Sequence, residues 1–222
     1  MRFPKHALTA SLGAALALAL LTACARPDYQ YASQQPGAVP AGTVYFKVPD
    51  SWTQLTPAQI TAAERGWSTS SDLAALLDAT SWQAAYDAAA TPSLVHVLGR
   101  AVPEQPTVYA SLRSLYPQEQ TGLTTDALKD MVVPLSTLGA SVQVTTDTAL
   151  TQGRATGVHL VFSYSPGAGL PEETIDQTSY LSDGKDAVYL LVVRCTTTCY
   201  DAHRDQIAAV TSSYTIQEGR SG

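Results

Sequence analysis

The sequence predicts an α+β domain carried behind an export segment, and three observations predict it. Between Ser141 and Cys195, four stretches separated by turn residues read as strands. In the last of them, Ala187 to Cys195 (AVYLLVVRC), both faces are apolar, so that strand is central, with something packed on each side of it. Helical signals flank these strands at Thr56, at Thr124 or Thr125, and again from about Thr198 to Ser213.

The chain opens with a basic start (Arg2, Lys5), an uncharged Ala/Leu core from Ala7 to Leu21, and small residues ahead of Cys24. That core is shorter than the roughly 20 apolar residues a membrane span requires. Its end, Leu21-Thr22-Ala23-Cys24, resembles the lipobox of bacterial lipoprotein signal sequences. The resemblance implies that a diacylglyceryl group alkylates the Cys24 sulfur and that residues 1–23 are removed. The competing reading is an ordinary secretory signal cut at the triplet Ala23-Cys24-Ala25, with Cys24 incidental. Residues 24–42 (from Arg26, RPDYQYASQQPGAVPAG) carry three prolines, two glycines and little aliphatic content, which predicts a flexible tether between lipid and domain.

Composition narrows the partners. The formal charge of the full chain is −6, and losing Arg2 and Lys5 takes it to −8. With no Lys/Arg cluster there is no electrostatic footprint for nucleic acid. An anionic lipid surface would repel the domain mildly, so attachment has to come from the anchor. What remains after residue 23 is of ordinary size for one domain, expected over residues 43–216, with a frayed tail at 217–222.

Thr43 to Val48 alternates Val44, Phe46 and Val48 against polar neighbours, a half-buried strand stopped by Pro49-Asp50. Thr56-Pro57-Ala58-Gln59 is a capping box with proline at the first helical position, and Gly66 ends that helix. A second short helix is expected from Ser70 or Ser71, with Leu73, Leu76 and Leu77 on one face. Thr80 to Ala90 is rich in alanine, which favours helix, but Trp82, Ala84, Tyr86 and Ala88 alternate, and strand is the reading taken. Leu94 to Val102 and Thr107 to Leu115 read as strands on either side of a Pro103 to Pro106 turn. A helix with Leu128, Met131 and Val132 as its apolar stripe is expected to end at Pro134. Strands follow at Ser141 to Leu150, Gly157 to Ser165, Thr174 to Leu181 and Ala187 to Cys195, and then one helix bearing Tyr200, His203, Ile207, Val210 and Tyr214 at three- and four-residue spacing.

This order resembles the PsbP-like fold, shared by an extrinsic subunit of photosystem II, a Ran-binding nuclear import factor and many small bacterial lipoproteins. The residues that carry the resemblance are Val48-Pro49-Asp50-Ser51-Trp52, Gly157 to Phe162 with Ser179-Tyr180-Leu181, and the close from Ile207 to Tyr214. The chain also looks like the actinobacterial lipoproteins of this type in its Ala-rich composition and tether, and the resemblance implies an antiparallel sheet flanked by helices on both faces. It also implies a binding or assembly role, with no catalytic residue to carry over. The helical insertion at roughly residues 56–78 departs from the family pattern.

Candidate chemistry is sparse. Cys195 and Cys199 are an even pair in a compartment that permits disulfides; on an extended strand they would sit roughly 13 Å apart, whereas a bond needs Cα atoms within about 7 Å, so a turn is required. With His203 they could begin a zinc site, but a structural site needs a fourth ligand and the C-x-x-C of redox proteins is absent. The remaining histidines, His96 and His159, lie in strand patterns, and neither G-x-S-x-G nor H-E-x-x-H occurs, so a hydrolase would have to assemble its site in space around His159 or His203. Glu172-Glu173-x-x-Asp176 reads as a solvated loop at a strand start. Trp52, Trp67 and Trp82 suit a recognition surface or a core equally. The functional expectation is a lipid-anchored, non-enzymatic module binding an envelope protein or a small apolar or glycan-like ligand, with no cofactor motif. A His-dependent hydrolase and a thiol or metal site at Cys195, Cys199 and His203 are the alternatives.

Overall fold

A computed structural model describes residues 28–34, 42–67, 79–138 and 141–218. The export segment, Cys24 and the expected stripe of Leu73, Leu76 and Leu77 lie outside the described residues. The strands are β1 Tyr29–Ser33, β2 Gly42–Pro49, β3 Thr53–Leu55, β4 Thr80–Asp87, β5 Thr107–Ser114, β6 Gln143–Gln152, β7 Ala155–Tyr164, β8 Glu173–Leu181, β9 Ala187–Thr196 and β10 Thr215–Glu218. The helices are α1 Pro57–Trp67, α2 Leu94–Leu98, α3 Pro117–Gly122, α4 Leu135–Leu138, α5 Thr197–Ala202 and α6 Arg204–Thr211, with a 3₁₀ helix at Asp126–Asp130.

Seven strands form one antiparallel sheet in the order β3-β4-β5-β9-β8-β7-β6, and β1-β2-β10 form a second, smaller one. The fold is α+β with helices on both faces of the large sheet, as expected. β9 is central: its Tyr189, Leu191, Val193 and Cys195 enter one core and its Val188 and Val192 the other. On the first face, Ala32, Val44, Phe46, Val48 and Ile216 of the small sheet, with Ile207 and Val210 of α6, pack on alternate residues of β4, β5 and β9. The second face is covered in two pieces. Leu128 and Val133 lie over β7, β8 and β9, while Ile60 of α1 and Val97 of α2 lie over β4 and β5. Gln177, fully buried in β8, ties the first piece down by donating to the Leu128 carbonyl at 2.6 Å.

The alternation reading of Thr80 to Ala90 holds, because β4 pairs with both β3 and β5 and buries Ala84 and Tyr86. The Thr56 capping box is formed, with Thr56 N donating to Gln59 Oε1 at 2.8 Å and Gln59 N to Thr56 Oγ1 at 3.3 Å.

Several expectations are corrected. Leu94 to Val102 is not a strand: Ser93 caps α2 by accepting from Val95 N at 3.2 Å, and Asp87 holds the preceding turn through Ala89 N and Ser93 N, each at 2.8 Å. The stretch before Pro134 is one 3₁₀ turn, and α4 begins after the proline. Pro117 opens α3, which the sequence reading passed over; Glu119 caps it through Tyr116 N and holds Arg113 Nη1, both at 2.9 Å. The long C-terminal helix breaks at His203 into α5 and α6. The tether reading fails for Tyr29–Ser33, which pairs with β2 because Ala32 finds a place in the core. The tail reading fails for Gln217 and Glu218, which belong to β10.

Gly157 of β7 lies against β8 so closely that an added Cβ would fall on the Ser179 carbonyl oxygen and the Tyr180 ring. Gly157→Ala should therefore destabilise the domain by about 1–3 kcal/mol, as overpacking does, measured by urea unfolding; an unchanged midpoint would show that the strands separate freely there.

Candidate ligand cavity

Among the described residues the two covers of the second face do not meet, and the middle of the sheet is left open between them. The gap is a cavity of about 550 Å³ whose floor is β5, β9 and β8 and whose walls are the turn after α2 and the stretch Met131 to Val133. Its volume falls within the roughly 300–1,000 Å³ typical of small-molecule sites. The lining is mainly apolar: Val97, Leu98, Val132, Ile175, Leu190 and Val192 are among its side chains.

Three charged residues, Arg100, Glu173 and Arg194, interrupt that lining. Arg194 projects from β9 to the cavity side and its Nε donates to Oε1 of Glu173, which is 1% exposed. Tyr164 Oη donates to the other oxygen, Oε2, at 3.0 Å. The remaining guanidinium nitrogens donate to the carbonyls of Gly99 at 2.9 Å and Ala101 at 3.1 Å. A carboxylate and a guanidinium removed from water are costly unless both are paired and hydrogen-bonded, which this set achieves. The consequence is positional: the turn after α2, which forms one wall, is fixed to the floor. Burial, then the charge of Glu173 and the hydrogen bond to it, push the Tyr164 hydroxyl up to about 12, so it stays protonated as a donor. Tyr109, also lining the cavity, is raised by burial and by the charge of Glu64, and donates to Gln83 Oε1 at 3.2 Å. The site thus offers apolar volume with a guanidinium and tyrosine hydroxyl oxygens on its lining, the hydroxyls already donating to Glu173 and Gln83 and so open only as acceptors.

Of the candidate residues named from the sequence, Glu173 lines the cavity, and the cysteines and histidines lie elsewhere. Cys195 and Cys199 are joined in a disulfide, their Cα atoms 6.0 Å apart where β9 turns into α5. The required turn is supplied by Thr196, whose Oγ1 accepts from Cys199 N at 3.2 Å. His203 does not join the sulfurs in a ligand set; its Nδ1 meets Gln206 Oε1 at 3.1 Å. Among the described residues no group of three or more His, Cys, Asp and Glu could hold a metal ion. His96 is on α2 rather than a strand, with Nδ1 2.8 Å from Oδ2 of the buried Asp87. His159 Nε2 is 2.8 Å from Asp176 Oδ1, and Tyr200 Oη donates to Asp176 Oδ2 at 2.9 Å. Among the described residues, the side-chain partner of the His159 ring is Asp176. Trp52 is buried in the first core and Trp82 packs against it, neither forming a recognition surface.

Glu173 and Asp176 correct the solvated-loop reading, since both are buried in β8, a strand whose nine residues are all buried. The signal that could have found the site is Arg194 itself: a cation in an otherwise apolar central strand requires a buried partner. Its cross-strand neighbours lie in the Glu173 to Ile175 stretch.

The chain is similar in structure to LpqN, involved in cell envelope biogenesis of Mycobacterium tuberculosis, at 18% identity and TM-score 0.45, covering 85% of this chain and 91% of that one. It is also similar to the cyanobacterial PsbP of Synechocystis, at 10% identity and TM-score 0.46 over 90% of this chain and 99% of that one. The Ran-binding protein Mog1p of Saccharomyces cerevisiae matches at 9% identity and TM-score 0.45, over 85% and 95%. No protein-family model matches the chain, and no curated protein matches it in sequence.

The Asp176 carboxylate beside His159, through hydrogen bond and charge, raises the imidazole above its ordinary value against the opposing effect of burial. A histidine with a raised folded pKa stabilises fully below its unfolded value of about 6.5 and loses that contribution as pH climbs through the higher folded value. Asp176→Asn should move the His159 midpoint, followed by NMR, down toward the ordinary range; an unmoved midpoint would assign the shift to another cause.

Proposed function

We propose that this protein is a membrane-anchored, extracytoplasmic binding module that holds a small amphipathic ligand, its apolar part in the cavity and its polar end toward Arg194 and Tyr164. The observation that carries this reading is the cavity: an apolar volume on the central strands with a small set of fixed polar groups, the usual make-up of a ligand site. The role is binding rather than turnover. Arg194 is held by one carboxylate and by backbone carbonyls, leaving it to orient a polar group, and Tyr164, whose O–H is committed to Glu173, stays neutral and presents its oxygen as an acceptor.

Location rests on the sequence: the basic start, the short apolar core and Leu21-Thr22-Ala23-Cys24 support acylation of Cys24. Two acyl chains give stable attachment where one is marginal. Among the described residues no helix is long and apolar enough to cross a membrane.

Leu190 is half-buried on the cavity floor. Leu190→Trp should occupy the volume and weaken binding of a fluorescent long-chain fatty-acid probe by about tenfold, equivalent to about 1.4 kcal/mol, with unfolding unchanged. Equal binding by the folded variant would remove the cavity as the site. Separately, Cys24→Ser should release the protein from the membrane fraction, and unchanged fractionation would remove the anchor.

A further inference from the structure

The small sheet presents an outer face that nothing in the described molecule covers. Its inner face is consumed by the first core through Ala32, Val44, Phe46, Val48 and Ile216. Because side chains alternate along a strand, Tyr29, Tyr31 and Ser33 of β1 and Thr43, Tyr45 and Lys47 of β2 all point outward. Tyr31 and Tyr45 stack with ring centroids 5.5 Å apart and planes 22° from parallel, yet they are 62% and 41% exposed. Lys47 lies over the Tyr29 ring with Nζ 4.4 Å from its centroid. The face is therefore a continuous patch of aromatic rings, each with a hydroxyl at its tip, and one lysine whose stem is apolar and whose head is charged.

Rings of this amphipathic kind are enriched where lipid meets water, and lysine stems lie along apolar surface while their heads reach the polar layer. The second observation is the length of chain. β1 begins at Tyr29, so only residues 25 to 28 separate it from Cys24. Fully extended, those five Cα steps span at most about 18 Å. A lipid on Cys24 would hold β1 within that distance of the acyl chains, since the pairing of Tyr29–Ser33 with β2 removes most of the slack expected of residues 24–42.

We propose that the tyrosine-bearing outer face of β1 and β2 rests in the headgroup layer of the membrane, so that the domain is held in one orientation instead of searching on a tether. This rests on the anchored reading given above. The formal charge of −8 after removal of Arg2 and Lys5 from −6 argues against a Coulombic attraction to anionic lipid. The contact is made by rings and hydroxyls, so added salt should not release it.

The test uses the full acylated protein in phosphatidylcholine vesicles, with the native disulfide intact and a spin label on Ser33→Cys. A control label sits on Val95→Cys, exposed on α2 at the opposite face of the large sheet. Acylation of Cys24 is read from the intact mass of the same sample. The expected result is a severalfold loss of accessibility to an aqueous nickel chelate at position 33 but not at 95. Tyr31→Ser with Tyr45→Ser should restore that accessibility with the acyl mass unchanged. Equal accessibility at both positions with Cys24 acylated overturns the docking while leaving the anchor. Protection that survives the double serine substitution overturns the role of the tyrosines. An unacylated Cys24 overturns both readings. Protection that arises only when cell-wall glycan is added would assign the face to sugar and overturn docking on lipid.

Discussion

A strand that is apolar on both faces cannot stand at a surface, and β9 imposes that constraint on the whole molecule. Its odd-numbered residues from Tyr189 to Cys195 demand one cover and its Val188 and Val192 another. The first cover is a second sheet assembled from two distant parts of the chain, the successive strands β1 and β2 at one end and β10 at the other, plus α6. Burying them together makes the two ends of the described chain part of the core. This is why segments that look too polar to fold alone are ordered in context: each contributes one or two apolar side chains to a core that already exists, and the backbone hydrogen bonds follow.

The second cover is built differently, and the difference creates the cavity. Short helical pieces do not span the width of a seven-stranded sheet, so one set settles over β7 and β8 and the other over β4 and β5. Between them, among the described residues, Leu190 and Val192 floor the cavity, and the ion pair of Arg194 and Glu173 lies beside them. Arg194 and Glu173 are neighbours on adjacent strands, so their pairing is fixed by sheet register and not by flexible side chains finding one another. Arg194 then reaches three residues of the wall, including the Val97 carbonyl at 3.4 Å. The opening is thus maintained by a rigid strut.

Much of the two sheets was legible: alternation marked β2 and β4, a run apolar on both faces marked β9, turn residues bounded the others, and β2, β4, β5, β7, β8 and β9 all sit within a few residues of their sequence readings. What failed had local causes. Leu94 to Val102 is apolar enough for a strand, but a single capping serine and the buried Asp87 carboxylate turn it into a helix, and such partners are invisible in a one-dimensional pattern. β1 and β10 failed because edge strands of few residues carry little periodicity. The cavity was not legible at all, since it depends on where two covers stop. Only Arg194, a charge in AVYLLVVRC, marked its position, and its partner was misread because Glu173 follows another glutamate in a glycine- and proline-rich stretch.

β6 ends the large sheet with ten residues that are mostly exposed. An open edge of that length is a template on which another copy could add its own strand, a hazard that grows with local concentration. Three features counter it. The register shifts between Val144 and Thr146, twisting the edge out of a flat ladder. Asp147 places a carboxylate midway along the strand, and Lys129 reaches across from the 3₁₀ helix to meet it at 2.8 Å. Thr145, Thr146, Thr148 and Thr151 occupy much of what remains, with Val144 the exposed large apolar side chain of the strand, so there is no continuous apolar face for a second sheet to stack upon. Crowding therefore does not turn this long edge into a seed from which the strands of neighbouring molecules propagate, and the opposite edge of the same sheet, β3, offers only three residues to pair with.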